Sequence, residues 1–287
     1  MSLTRDEATA LATANNLIEV NARQTLRKYL SECWRLRHFT WHYSIGRTIV
    51  ATIQNNLGLI WDFINPLLLS ATYYLTFGVL LGTQGDSEQF LTFLIAGVFT
   101  WQLFTQTFTG ATGSLAKNND LADGLRLPKV LLPISSAIQS GLRSIPALLM
   151  LFPIAIIGGT KPNWWWTVVP FIFLLASLLG FGVGLFASRL VNAVRDVAQT
   201  IPLTVRVLMF ASGVFYDIDK RFATAPDVIR IIAQNNPAAL LLKFTRAALM
   251  PEYHQATLRQ IIYVVVLTVI LIVGGILLYW RGDTSDE

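Results

Sequence analysis

The amino-acid sequence predicts an all-α polytopic membrane protein, because six long stretches carry almost no charge and a basic amphipathic segment precedes them. Hydrophobic residues make up 53% of the 287 residues and charged residues only 14%, which is far from the composition of a soluble domain. In lipid a chain must satisfy its backbone hydrogen bonds internally, so uncharged stretches of this length are spanning helices. The sequence therefore excludes a soluble protein and favours one membrane domain.

The positions of the charged residues define six predicted spanning helices. The first follows Asp62 and ends before Asp86, and its 23 uncharged residues reach about 35 Å as a helix, enough to cross about 30 Å of hydrocarbon. Three tryptophans at 164–166 open the fourth and are typical of anchors at headgroup depth. The predicted spans are 63–85, 90–115, 131–158, 164–188, 194–216 and 261–280.

Basic residues predict the orientation. The segment up to Asn56 holds seven lysine and arginine residues, whereas the turn after the first span holds none. The positive-inside rule predicts a cytosolic N-terminus, and six crossings return the C-terminus to the cytosol. The predicted organisation is a flexible cytosolic N-terminus (1–21), a cytosolic amphipathic region (22–56), the transmembrane domain (57–280) and a cytosolic tail (281–287).

Patterns of apolar and small residues predict helices that lie at the membrane interfaces and one close contact between helices. Isoleucine and leucine recur every three or four positions over 41–64, which predicts an amphipathic helix along the cytosolic interface. Two apolar runs in the external stretch, 228–233 and 238–242, predict short re-entrant helices that dip into the opposite interface. In the fourth span Ala176, Gly180, Gly184 and Ser188 form a stripe that permits close helix contact. The alternative for the stripe is a glycine-rich helix without a tight partner.

The sequence lacks motifs for covalent chemistry. No G-x-x-x-x-G-K-[ST] phosphate-binding loop occurs, so the chain itself is not expected to hydrolyse ATP. Three scattered histidines and a single cysteine, Cys33, predict no metal site, and Cys33 is expected to be a partly buried residue of the cytosolic segment. Asp120 and Asp123 suggest an acidic pair for sugar transfer, but the basic residues around them favour a solvated or partner-docking surface.

Two arginines fall inside predicted spans. A charge at membrane depth is costly, so Arg143 and Arg206 are expected to face a protein-lined interior or to snorkel towards headgroups. One hypothesis is that one or both guide an anionic group, such as a lipid-linked diphosphate, through forked hydrogen bonds. The alternatives are internal pairing with Asp62 or Asp196, or simple snorkelling.

Three pieces of the sequence resemble the membrane subunits of polysaccharide, O-antigen and teichoic-acid ABC exporters, which are ABC-2 permeases. Residues 57–67, LGLIWDFINPL, resemble that family's entry into its first span. Arg195-Asp196-Val197 resembles its arginine-aspartate signature, and the turn at 212–216 has Gly213 where the family usually has proline, which leaves the local bend open. Asn236-Pro237, with Arg246 after it, resembles the external segment between the last two spans.

This resemblance implies a non-catalytic transport subunit. The family works as a homodimer bound to two copies of a separate ABC ATPase, which uses ATP and magnesium, so no cofactor is expected on this chain. The implied cargo is a polyprenyl-diphosphate-linked glycan, of the O-antigen or cell-wall galactan type, moved from the cytosol to the outer leaflet. The implied location is the bacterial plasma (inner) membrane, with membrane lipids and no nucleic acid as partners.

The resemblance also assigns roles to residues. The basic N-terminal helix and the first cytosolic loop, 117–129, are implied to contact the ATPase, while the external segment 217–250 forms a gate near the exit. Aromatic residues in the spans are expected either to line a sugar path or to face lipid and other helices. The residues expected to couple to the ATPase are Arg35, Arg37, Lys117, Asp120, Asp123, Arg126, Lys129, Arg195 and Asp196, and those expected at the gate are Asn236, Pro237 and Arg246. Independently of the resemblance, the chemistry of the side chains suggests a substrate path with Arg143, Arg206, Trp61, Tyr73, Tyr74, Trp101, Phe104 and Phe108.

Three other functions remain open at this point. A drug or lipid exporter of the same superfamily would share the topology. An integral-membrane glycosyltransferase would need grouped acidic residues beside a sizeable catalytic loop, and the predicted cytosolic loops are short. A structural scaffold for cell-wall enzymes would not need arginines within its spans.

Overall fold

The computed structural model describes residues 25–53, 60–80, 89–125, 127–194, 196–251 and 255–283, which form helices and turns without a strand. The predicted all-α fold is confirmed. A π-helical segment, Tyr74–Leu80, continues α3, and a 3-10 turn, Trp164–Val168, precedes α6. The helices are α1 (Leu26–Arg35), α2 (Arg37–Ile53), α3 (Ile60–Tyr73), α4 (Phe90–Leu125), α5 (Leu131–Ile157), α6 (Val169–Ala193), α7 (Val197–Ala211), α8 (Ile218–Arg221), α9 (Asp227–Gln234), α10 (Pro237–Leu249) and α11 (Leu258–Asp283).

Five described helical segments are long and apolar enough to cross a membrane: Ile60–Leu80, Phe90–Asn118, Leu131–Ile157, Trp164–Ala193 and Leu258–Asp283. They coincide with predicted spans one, two, three, four and six, so these five predictions are confirmed. The first predicted span ends at 85, and its residues after 80 lie outside the described part of the chain. We call the end of the bundle that carries α1 the α1 end, and the end that carries α8 to α10 the α10 end.

The fifth predicted span, 194–216, is shorter in the structure. Its helix, α7, has 15 residues, about 22 Å, whereas a spanning helix needs about 20 residues to cross the hydrocarbon layer. Val194 follows directly on α6 at the α1 end, and Val214 contacts Arg246 at the α10 end. The segment therefore carries the chain from one end of the bundle to the other, and a sixth membrane crossing stays a prediction.

Helices α4 and α6 form the centre of the bundle because their backbones approach closely at the small-residue stripe. A Cβ atom on Gly180 would lie 2.5 Å from the carbonyl oxygen of Phe104, and one on Gly184 would lie 3.0 Å from that of Phe108. The other two members of the stripe are fully buried. The predicted close contact is confirmed, and the partner is a helix of the same chain.

The described parts of the helix predicted over 41–64 are helical, in α2 up to Ile53 and in α3 from Ile60, and residues 54–59 lie outside the described ranges. A break at Leu36 separates α1 from α2. Helix α2 packs on α5 and buries Thr40 and Ser44, whose hydroxyls donate to carbonyls one turn earlier. The isoleucine side stays exposed, up to 75% at Ile53. This exposure agrees with contact between the apolar side and a membrane interface.

Three predicted loop or interface segments are part of the helical bundle. Helix α4 continues to Leu125 past a non-helical backbone conformation at Asn118 (φ −135°, ψ 22°), so much of the predicted loop 117–129 is helical. The predicted tail begins as helix, since α11 runs to Asp283. The run 238–242, predicted at the interface, is instead buried in α10 against α4 and α6, because a 13-residue helix with one wide apolar side finds a larger dry surface on the bundle.

Candidate functional site

A cleft of about 390 Å³ opens between α3, α4 and α5. It extends from the middle of α4 towards the α1 end, since its lining runs from Phe99 to Lys117 on that helix. Most of its lining is polar, which is costly within membrane helices and marks a functional site by default. The polar lining residues are Asp62 and Asn65 from α3, Gln102, Gln106, Thr109 and Lys117 from α4, and Ser136, Gln139, Ser140, Arg143 and Ser144 from α5.

Helical spacing in the sequence builds this lining. The polar residues of α4 and α5 recur every three or four positions, which places them on one side of each helix. Gly110 lets the two helices approach, because a Cβ atom there would lie 2.7 Å from the Ser136 hydroxyl. The Ser140 hydroxyl donates to the carbonyl oxygen of Gln106 at 3.3 Å. The same 3-to-4 spacing was the signal that could have revealed the cleft from sequence.

An ion pair between Asp62 and Arg143 lies in the cleft. Arg143 donates from Nη2 to Oδ1 of Asp62 at 2.7 Å and from Nε to Oδ2 at 3.3 Å, a forked arrangement. The side chain of Asp62 is 10% exposed and that of Arg143 is 41% exposed. Of the alternatives for Arg143, the structure shows pairing with Asp62, so its guanidinium is already engaged by a carboxylate.

One lining residue offers an unused acceptor. The side-chain oxygen of Gln102 is buried and accepts no hydrogen bond from the described part of the protein. Gln102 lies one turn from Gln106 on the same side of α4. A buried amide oxygen without a donor is costly, and a hydroxyl-bearing ligand in the cleft would satisfy it.

The aromatic residues predicted for a sugar path lie mainly elsewhere. Trp101, Phe104 and Phe108 are buried in the bundle core, and the parallel rings of Phe104 and Phe108 stand 6.3 Å apart. Tyr73 packs edge-on against Phe215, Tyr74 packs against Phe90, and Trp61 is partly exposed on α3. None of these six lines the cleft, and their role in a substrate path stays a prediction.

Arg206 is the second arginine that was predicted to lie within a span. Its side chain is exposed on α7. Among the described residues it makes no hydrogen bond or ion pair, including none with Asp196, its predicted alternative partner. It stands apart from the cleft lining. The structure therefore does not bring the two predicted arginines together.

The predicted gate residues hold the turn after α7 in place. Asn236 caps α10, since its Oδ1 accepts from the backbone N–H of Ala238 at 3.0 Å, and its Nδ2 donates to the Ser212 hydroxyl at 3.2 Å. Pro237 occupies the first helical position, where its missing N–H costs nothing. Gly213 adopts a left-handed φ of 68° in this turn, a conformation that glycine adopts without strain.

Arg246 is the buried centre of this region. Its guanidinium donates to the backbone carbonyls of Val214 at 2.7 Å, Gly213 at 3.0 Å and Phe93 at 3.2 Å. Its carbon Cζ lies 3.5 Å from the ring centroid of Phe93, a cation–π contact. Gly97 provides the space, because a Cβ atom there would lie 2.6 Å from Nη2 of Arg246. Arg246 thus ties α10, α4 and the turn after α7 into one unit.

Several predicted ATPase-coupling residues lie at the α1 end. Arg35 pairs with Glu32 at 3.5 Å within α1, and the guanidinium of Arg37 lies 5.0 Å from the Trp34 ring centroid. Asp196 is exposed before the first turn of α7, where its charge complements the helix dipole. Arg126, Arg195 and the side chains of Asp120 and Asp123 lie outside what the structure describes. Lys117 lines the cleft, and Lys129 belongs to the junction described next.

A junction that the sequence reasoning missed joins four segments at the α1 end. Asp283 of α11 accepts from the Tyr29 hydroxyl at 2.8 Å, from the backbone N–H of Lys129 at 3.0 Å and from Arg189 Nη2 at 2.7 Å. Arg189 also donates to the Tyr279 carbonyl at 2.8 Å and lies over the Tyr279 ring at 4.4 Å. We call these five residues the Asp283 junction. The sequence predicted no contact for Asp283, because this residue lies in the segment predicted as a cytosolic tail, 281–287.

Cys33 is half-buried in α1, as expected, and its chemistry follows from this position. Burial, together with the neighbouring carboxylates of Asp283 and Glu32, raises the pKa of the Cys33 thiol to about 12. A raised pKa keeps the thiol protonated, so at neutral pH the thiolate fraction is about a thousandfold below that of an ordinary cysteine. No cluster of three metal-binding side chains occurs in the described part of the chain.

We expect maleimide to label Cys33 slowly in the folded protein. The labelling rate should rise about tenfold for each pH unit between 7 and 10, because only the thiolate reacts. Mass spectrometry of the detergent-purified protein measures this, with protein unfolded in dodecyl sulfate as the fast control. Labelling at pH 7.5 as fast in the folded as in the unfolded protein would contradict the buried, carboxylate-flanked environment.

Comparison with known proteins gives consistent similarities. A family profile described as ABC-2 type transporter matches residues 41–250. The O-antigen export system permease protein RfbA of Klebsiella pneumoniae is 25% identical over 195 residues, which are 67% of this chain and 73% of the relative. The protein of the same name from Myxococcus xanthus is 22% identical over 162 residues, 56% of this chain and 62% of that protein. The family match spans the cleft, the turn after α7 and the buried Arg246.

Proposed function

This chain belongs to the ABC-2 type transporter family, and we propose that it is the permease subunit of an ATP-driven exporter of a lipid-linked polysaccharide. The named relatives are O-antigen export permeases, which supports a glycan as cargo. The proposed direction is from the cytosol to the outer leaflet of the bacterial inner membrane. The proposed carrier is a polyprenyl diphosphate, with an O-antigen or a cell-wall galactan as the glycan.

The polar cleft carries this proposal. Its amides and hydroxyls both donate and accept hydrogen bonds, as sugar hydroxyls do. Gln102, whose side-chain oxygen has no donor within the described residues, is one of these cleft-lining amides. An apolar drug or a lipid tail would leave these groups unsatisfied, and that cost disfavours the rival cargo.

The proposal includes a separate ABC ATPase in two copies. The sequence lacks a phosphate-binding loop, so ATP and magnesium are assigned to that partner rather than to this chain. We also propose a homodimer of the permease. Two observations support it: α7 is apolar yet buries none of its residues, and α3 buries only Pro66 and Ser70.

The proposed orientation places the α1 end in the cytosol. The hydrogen bond between Tyr29 and Asp283 brings α1 and the end of α11 to the same end of the bundle. This agrees with an even number of crossings between them. The basic residues of α1 and α2 then meet the cytosolic leaflet, where anionic lipids attract positive charge.

The Asp62–Arg143 pair yields a prediction about the cleft. Asp62→Asn or Arg143→Gln alone is expected to cost about 1 to 2 kcal/mol of stability, a figure reduced because Arg143 is partly exposed. The swapped double variant Asp62→Arg with Arg143→Asp should recover the membrane level of the protein and most glycan export. Immunoblotting of membranes and quantification of surface glycan measure both.

Failure of the swapped variant to recover the membrane level would contradict the assignment of Arg143 as the partner of Asp62. Recovery of the membrane level without recovery of export would instead give Arg143 a second role, in contact with the diphosphate. Arg206→Gln is the comparison variant, since the Arg206 side chain makes no hydrogen bond or ion pair within the described part of the chain. Arg206 guides an anionic group if its variant keeps a normal membrane level but loses export, and unchanged export excludes that role.

Depletion of the protein in its native cell tests the function as a whole. Lipid-linked glycan is then quantified on each side of the inner membrane. Accumulation on the cytosolic side with normal chain synthesis is the expected result. Loss of the polymer itself would instead indicate a glycosyltransferase, and unchanged glycan pools would indicate a drug or lipid exporter.

A further inference from the structure

We propose that Asp283 is a positioning residue that couples the segment between α4 and α5 to the transmembrane helices. This inference rests on the proposed function in one respect, the presence of a partner ATPase. The two carboxylate oxygens divide their contacts. Oδ2 accepts from Tyr29 of α1 and from the backbone N–H of Lys129, whereas Oδ1 accepts from Arg189 of α6.

The carboxylate therefore bridges peripheral and membrane-spanning parts of the chain. Tyr29 and Lys129 belong to elements at the edge of the α1 end, and Arg189 belongs to a helix of the bundle centre. Asp283 itself is the last described residue of α11. One side chain thus joins α1, the α4–α5 segment, α6 and α11.

The junction is held rigidly. The side chains of Arg189 and Asp283 are each 14% exposed, so solvent and salt screen the pair little. Tyr29 is buried, and burial together with the adjacent Asp283 raises its pKa, so its hydroxyl remains a donor at every physiological pH. Gly282 has no side chain to displace Arg189, since a Cβ atom there would lie 2.5 Å from the guanidinium carbon.

This rigidity has a mechanical consequence. If a partner displaces the α4–α5 segment, the backbone N–H of Lys129 moves with it, and its hydrogen bond to the Asp283 carboxylate resists separation. The displacement then passes to α11 and, through Arg189, to α6. Without the carboxylate the described connecting residues 127–130 before α5 would absorb the movement locally.

Hydrogen exchange of the permease assembled with its ATPase tests this directly. Exchange is compared with and without a non-hydrolysable ATP analogue, in peptides covering 127–131 and 276–283. In the wild-type complex both peptides should change their exchange rate together, by about threefold or more. In Asp283→Asn the 127–131 peptide should still respond, whereas the 276–283 peptide should not.

The variants separate coupling from folding. Tyr29→Phe removes one donor to Asp283 and should weaken the linked response, whereas Tyr263→Phe, which removes an exposed hydroxyl on α11, should not. Asp283→Glu keeps the charge and should restore part of the response. The proposal is overturned if the 276–283 response persists in Asp283→Asn, or if the wild-type complex shows none. It is also overturned if Asp283→Asn only raises exchange everywhere without nucleotide, since that is a structural role.

The result of the hydrogen-exchange experiment does not depend on which cargo the transporter exports. A complex that binds the ATPase but exports no glycan refutes the proposed function, while the exchange result still decides the role of Asp283.

Discussion

Replacing Arg246 by methionine is expected to lower the free energy of unfolding by about 3 kcal/mol or more. Methionine fills a similar volume but donates no hydrogen bond. The change leaves the carbonyl oxygens of Gly213 and Val214 buried without their donor, and it removes the cation–π contact with Phe93. The turn after α7 would then lose its attachment to α4 and α10.

Thermal unfolding of the detergent-purified protein measures this loss. Arg246→Lys should fall between the wild type and Arg246→Met, because an ammonium keeps the charge but cannot reach three carbonyls in a planar fork. Arg230→Met is the matched control, since within the described residues the Arg230 side chain pairs only with its exposed neighbour Asp227 in α9, and such surface pairs contribute about 0.5 kcal/mol or less. Equal melting of Arg246→Met and the wild type would show that the guanidinium holds nothing together.

Replacing Gly180 by alanine should cost about 1 to 3 kcal/mol of stability, since it forces apart two helices whose backbones touch. The new Cβ atom would lie 2.5 Å from the Phe104 carbonyl oxygen and 3.2 Å from the Phe108 backbone nitrogen. Backbone atoms cannot move aside as a flexible side chain can. The contact between α4 and α6 at the bundle centre must therefore widen.

Gly141→Ala is the matched control for Gly180→Ala. Gly141 also lies within a membrane helix, α5, but a Cβ atom there meets no atom within 4 Å. Alanine restricts the unfolded chain more than glycine does, so Gly141→Ala should be neutral or stabilising by up to about 1 kcal/mol. Unfolding of both variants in detergent with increasing dodecyl sulfate compares them, and similar destabilisation by the two changes would refute the close α4–α6 contact.

Much of the fold could be predicted because the relevant signal is local. An uncharged run such as 90–115 must be helical in lipid wherever it lies in the bundle. The spacing of Gly180 and Gly184 likewise places both on one side of a helix without knowledge of the partner. Prediction was weaker at α7, where Pro202 and Arg206 interrupt the pattern and the helix ends at Ala211 rather than at 216.

The candidate site was harder to predict because it depends on which helices are neighbours. Gln102, Gln106 and Ser140 are neutral and do not interrupt a hydrophobic run, so the charge pattern gave no sign that they line a polar cleft. The charge of Arg143 did mark it as a candidate. Its partner, however, lies 81 positions away in sequence, and sequence spacing did not distinguish Asp62 from Asp196 as that partner. The sequence left the aromatic residues open between a path and the core, and the structure places Trp101, Phe104 and Phe108 in the core.

Composition and the order of charged and apolar runs determine by themselves that this chain is a helical membrane protein, and its motifs suffice to indicate an ABC-2 permease. The first follows from the cost of unpaired backbone groups in lipid, which acts on each segment separately, and the second from the resemblance of those motifs to the family. Only the tertiary structure decides that a polar cleft lies between α3, α4 and α5, that Arg246 is a buried structural cation, and that Asp283 joins four segments. Those features arise from hydrogen bonds between residues up to 254 positions apart, such as Tyr29 and Asp283, which no local pattern encodes.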